Sequence, residues 1–90
     1  MHEKRQTIRV NVNVPCSVRH QGRSFDALVV DISLGGARIR FFSSEPVAEF
    51  QMGSELTLNL STNRHRLETQ IILRRIIQEE HCEIGVVFQE

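Results

Sequence analysis

Ala27-Leu28-Val29-Val30-Asp31-Ile32-Ser33-Leu34-Gly35-Gly36 decides how this chain is read. Four apolar residues in a row predict a buried strand. Two glycines then break the pattern, so the backbone turns sharply and leaves room above itself. Asp31 and Ser33 flank the turn two residues apart, a spacing that puts both side chains on one face of an extended backbone. A carboxylate acceptor, a hydroxyl and bare glycine backbone thus share one space. Such a set suits a planar group with N–H donors beside a polar oxygen. The same residues also describe an Asx- or Ser-type turn closing a strand, and on their own they leave both readings open.

Outward from this stretch the chain alternates. Val10, Val12, Val14, Cys16 and Val18 fall on one face, with Asn11, Asn13 and Ser17 on the other, which predicts a half-buried strand over 10–18. Pro15, on the outer face, marks an edge position or a bulge. His20-Gln21-Gly22-Arg23 reads as a hairpin turn, and Ser24 to Ser33 as the second strand. Ala37 to Phe41 is the third, with Arg38 and Arg40 opposite its apolar face. Phe42 to Gln51 is an irregular connection holding one helical turn over Pro46 to Phe50. Glu55 to Leu60 alternates cleanly as a fourth strand. The fifth, His65 to Ile77, is apolar at Leu67, Thr69, Ile71 and Leu73 and then shifts phase at Arg74-Arg75, as at a β-bulge. Cys82 to Phe88 is the last. Six short strands with tight turns and no strong helix predict an all-β chain, a small antiparallel barrel or sandwich.

Ninety residues make one domain with a modest core. No apolar run is long enough to span a membrane and there is no secretory leader, so the expected location is cytoplasmic, either as a whole protein or as a domain cut from a larger one. Cys16 and Cys82 stand at unrelated spacing, as reduced thiols do, and no metal site is expected. The formal net charge is zero. Residues 1–40, however, hold seven basic side chains against three acidic ones, and the remaining fifty residues balance that excess. A basic half carrying a few arginines argues for a small anionic ligand and against long nucleic acid. His2, His20, His65 and His81 each stand alone, read as solvated or turn histidines. With neither a nucleophile–base–carboxylate order nor a phosphate loop present, no enzymatic activity is expected.

Arg5-Gln6-Thr7-Ile8-Arg9 precedes the first strand. Residues four apart share a face in a helix and in an extended segment, so Arg5 and Arg9 point the same way. Two guanidiniums on one side form a clamp for phosphate and for guanine edges. Arg5-x-x-x-Arg9 followed by Asp31-x-Ser33-x-x-Gly36 resembles the PilZ domain family, whose pattern is RxxxR followed by [D/N]xSxxG. The strand after Gly36, the Met52-Gly53-Ser54 turn, Ile72-Leu73-Arg74 and the Gly85-Val86-Val87-Phe88 ending resemble the family too, so the similarity covers almost the whole chain.

The resemblance implies a six-stranded antiparallel β-barrel over 10–90, behind an arm of residues 1–9 expected to be flexible and to clamp the ligand. The C-terminal helix of many members is expected to be absent, since the chain stops at Glu90 after the last strand. It also implies a ligand, the bacterial second messenger cyclic di-GMP, and no cofactor. Guanine offers N7 and O6 to an arginine fork, and its N1–H and N2–H₂ donors match a carboxylate. By resemblance Arg5 and Arg9 wrap the ligand, Asp31 and Ser33 contact guanine and phosphate, and Gly36 keeps the surface clear, with Gly35 sharing its turn. Arg74 stands where members often carry a basic residue on a late strand, and Arg40 is a further candidate. Lys4, just before the RxxxR pattern, is placed to meet the charge of a second, stacked ligand. The expected partner besides the dinucleotide is a protein, with the domain a monomer or a ligand-dependent dimer. The alternative is an interaction module that keeps the pattern without binding nucleotide.

Overall fold

In the computed structural model, which describes residues 8–62 and 64–89, the alternating segments become six strands. They are β1 (Val10–His20), β2 (Arg23–Ile32), β3 (Gly36–Phe41), β4 (Glu55–Ser61), β5 (Arg66–Gln78) and β6 (Cys82–Phe88). All neighbours are antiparallel and the sheet closes in the order β1-β2-β3-β6-β5-β4. The expected barrel is therefore present, and the sandwich is excluded. The strand ends move by a residue or two: β1 runs on to His20, and β2 starts at Arg23 and stops at Ile32, leaving Ser33 in the turn.

Period-two alternation sends one residue in two into the barrel. Val18, Val29, Ile39, Leu58, Ile71, Leu73 and Ile84 are at most 1% exposed. The β1–β2 hairpin turns on Gln21 and Gly22, at φ 52° and 82°, the pair of positive values that a two-residue type I′ turn requires. The helical turn expected after Phe42 is α1 (Glu45–Ala48). It tucks Val47 and the following Phe50 into the end of the barrel remote from Gly36, where Phe41 and Phe25 pack against the Phe50 ring. His20, expected in a solvated turn, is instead half-buried with its ring edge-on to Phe50 at 5.4 Å.

Three departures from regular pairing shape the outer surface, the first on β1, where the register with β2 shifts between Asn11 and Val14. On β5 the register shifts between Leu73 and Arg75, as the phase shift at Arg74-Arg75 predicts. On β2, Val29 pairs with Ile39 and Asp31 with Arg38, so two steps along β2 match one step along β3 and Val30 is the extra residue. The closing seam is also uneven. β1 pairs with β4 only over Cys16–Arg19, whereas its pairing with β2 extends back to Val10. Pro15, with no N–H to give, sits at that boundary, the edge position expected of it.

Candidate functional site

The bulge at Val30 places the carboxylate. Val29 points into the core, and on a regular strand Asp31, two residues on, would point there too. The extra residue turns the phase, so Asp31 stands beside its register partner Arg38 on the outer face, while Ile32 packs against the core. Asp31 is nevertheless only 5% exposed, because arginines cover it. Arg9 Nη2 donates to Asp31 Oδ1 at 2.8 Å, and Arg38 Nε lies 3.2 Å from Oδ2. Burying a carboxylate is tolerable only with such partners. The two halves of the sequence pattern, 22 residues apart, are thereby joined by one ion pair.

The Ser33–Gly36 turn is tied by its own atoms. The Ser33 N–H donates to the Gly36 carbonyl at 2.8 Å, and the Gly36 N–H donates to Ser33 Oγ at 3.3 Å. The Ser-turn reading of this stretch is thus correct, with the hydroxyl engaged by the Gly36 backbone just past the end of β2. Gly36 also has a role in packing. It is buried, and a Cβ there would stand 2.1 Å from the Val86 carbonyl oxygen. The residue lets the β3 and β6 backbones approach. Gly35 has open space around its Cβ direction, and its carbonyl accepts from the Phe88 N–H at 2.9 Å.

Arg74 is the extra residue of the β5 bulge and has no register partner. Its neighbour Arg75 is the one aligned across the sheet with Gly85 and so with Arg38. Arg40 lies on the same outer face, with Nε and Nη2 both 2.7 Å from Glu83 Oε2. Lys4 and Arg5 lie outside the described residues. Sequence reasoning missed Arg38 as a partner of Asp31 and missed Glu83 altogether, because both contacts depend on register between strands far apart in the chain.

A family model for the PilZ domain matches residues 3–90. The chain belongs to the PilZ domain family. Several solved structures superpose on it closely. The Bacillus subtilis inhibitor of motility MotI/DgrA gives a TM-score of 0.79 at 21% identity, covering 99% of this chain and 44% of that one. The PilZ domain of Escherichia coli YcgR with c-di-GMP gives 0.77 at 15% identity, covering 98% of this chain and 79% of that one. MrkH of K. pneumonia in complex with c-di-GMP gives 0.75 at 18% identity, covering 98% and 44%. The chain thus spans under half the length of MotI/DgrA and of MrkH. At these identities the likeness is one of fold. No curated protein matches the chain by sequence.

The PilZ barrel carries Arg9 and Ser33 at the surface of its outer face, with Asp31 covered beneath the arginines and Gly36 buried against β6. The depressions of about 510 Å³ over the β1–β4 seam and about 580 Å³ beside Met52 and Ile77 include none of these four residues. Among the described residues no helix is long and apolar enough to cross a membrane.

Proposed function

We propose that this PilZ domain is a receptor for cyclic di-GMP, bound on the outer face at the β2–β3 turn. The observation that carries the reading is the 2.8 Å contact between Arg9 and the covered carboxylate of Asp31, which gathers both halves of the family pattern at one place. Asp31 supplies acceptors for the N1–H and N2–H₂ of a guanine, and Arg9 supplies a planar fork for phosphate or for guanine O6 and N7. Ser33 and Gly36 set the height and direction of the turn that holds Asp31. Gly35, Lys4, Arg5 and Arg74 complete the proposed contact set. Arg74 holds its place there through its family position, although Arg75 is the better aligned of the two.

An open face gives a ligand one wall. A second wall is the part proposed for the arm of residues 1–9, whose Lys4, Arg5 and Arg9 gain a dianion to neutralise and purine planes to stack on. The arm's closure over the barrel would then be the signal passed to a partner protein. Calorimetric titration with cyclic di-GMP tests the receptor reading: saturable heat is expected. A folded domain that gives none would be a protein-contact module instead.

A further inference from the structure

Five charged side chains run in alternating sign across the outer face: Arg9, Asp31, Arg38, Glu83 and Arg40. The receptor reading uses the first two and gives no role to Glu83. We infer that Glu83 is a counterion built into the site, a positioning residue that holds Arg38 and Arg40 and restrains the affinity for a dianionic ligand without touching it. This rests on the receptor reading above.

The layering supports it. The Glu83 side chain is 8% exposed, whereas those of Arg38 and Arg40 are 41% and 33% exposed. The carboxylate lies beneath its arginines, so an anion approaching the face meets the guanidiniums first. Arg40 is fastened to Glu83 by two 2.7 Å contacts. Arg38 is held loosely: its Nε stands 3.4 Å from Glu83 and 3.2 Å from Asp31, yet the buried N–H is aligned with neither and makes no hydrogen bond. A guanidinium shared by two acids and bonded to neither at that atom loses little by turning to phosphate oxygens. Across the sheet, Arg38 faces Gly85, over which the aliphatic stem of Arg75 lies, so a second guanidinium joins Arg38 at that rung. Once Asp31 gives its oxygens to a guanine, Glu83 is the acid left opposing the phosphates.

Removing its charge should therefore tighten binding, the opposite of what loss of a contact or of structure would do. The test is a titration of four proteins with cyclic di-GMP at low and high salt: wild type, Glu83→Gln, Glu83→Met and Glu80→Gln. Glutamine keeps the shape and still accepts from Arg40. Methionine fills the space without charge, and the arginines it leaves unpaired are exposed enough to turn to water. Melting curves report that each is folded. Both Glu83 variants are expected to bind roughly three- to ten-fold tighter than wild type, with the gain shrinking as salt rises. Glu80→Gln, which removes the same charge from the exposed β5–β6 turn, should stay near wild type. Equal or weaker binding by the folded Glu83 variants, beside a wild type that binds, overturns the inference and leaves the receptor reading intact. An equal gain in Glu80→Gln would assign the effect to net charge and overturn it too. A wild type that does not bind overturns both.

Discussion

Gly36→Ala offers a sharp test of how this barrel is built. The new Cβ would sit 2.1 Å from the Val86 carbonyl oxygen, 3.1 Å from its carbonyl carbon and 3.2 Å from Val87 Cα. A carbon needs about 3.3 Å from an oxygen even in the close Cα–H···O contacts of sheets. The β3 and β6 backbones must therefore separate by about 1 Å at this rung, and neither atom in the way is a side chain that could swing aside. The Phe88 N–H bond to Gly35 and the Ser33 N–H bond to Gly36 lie at the same place. Losing two or three bonds at about 1 kcal/mol each, with strain in the remaining rungs, gives a destabilisation of roughly 2–4 kcal/mol. For a domain of this size that lowers the melting temperature by roughly 10–25 °C. Gly35→Ala is the control, since no atom lies within 4 Å of its Cβ position. It should fall within about 0.5 kcal/mol of wild type. Urea unfolding of the three proteins measures both. If Gly36→Ala is as stable as wild type, or if the two variants lose equal stability, the close approach of β3 and β6 is not what position 36 requires.

Arg9→Ala and Arg5→Ala should each weaken cyclic di-GMP binding by about ten-fold or more, the value of a charge-assisted contact, and unchanged affinity in both folded variants would reject the site. Asp31→Ala should also weaken binding and reduce the preference over cyclic di-AMP, whose adenine offers an acceptor at N1 and no N2 donor; equal affinity of wild type for the two dinucleotides would refute this role. Amide exchange over residues 3–10 should slow at saturating ligand, and a calorimetric stoichiometry of two would support Lys4 meeting a second stacked ligand, whereas a value of one would reject that part alone. Burial, followed by the nearby Asp26 charge, pushes the Cys16 thiol up from 9.0 to about 11. The fold thus favours the protonated thiol, so the stability it contributes is complete below pH 9 and is lost as pH rises towards 11. Urea melts at pH 8, 9.5 and 11 on wild type and Cys16→Ala should show the wild type losing its advantage across that window.

Much of the fold was legible because solvent writes itself into alternating strands. Glu55 to Leu60 shows the period without a break, and the slip at Arg74-Arg75 exposed the β5 bulge because polar and apolar residues changed places there. The bulge at Val30 left no such mark. Ala27 to Val30 are all apolar, and a phase shift within a uniform run is invisible. That hidden residue decides whether Asp31 faces the core or the surface, so the site's chemistry was readable and its placement was not. Glu83 was hidden for another reason: its partners lie about forty residues away, and the pairing exists only once β3 and β6 are in register. Gly36 could be identified as part of the pattern, but the crowding that demands a glycine belongs to a strand fifty residues later.

The short seam between β1 and β4 has a mechanical consequence. A strand fastened along both edges moves only with its sheet, whereas one fastened along a single edge can peel. Among the described residues β1 is held on both sides only over Cys16–Arg19, and before that its ladder runs to β2 alone, with a shift of register between Asn11 and Val14. Arg9 is attached to the free tip of that half-strand. A sideways force on Arg9 would therefore bend a lever with its fulcrum near Pro15. Val18, fully buried three residues further on, stays where it is. The closed wall below has no such freedom, so a tip free to bend and a rigid core are properties of two halves of one strand.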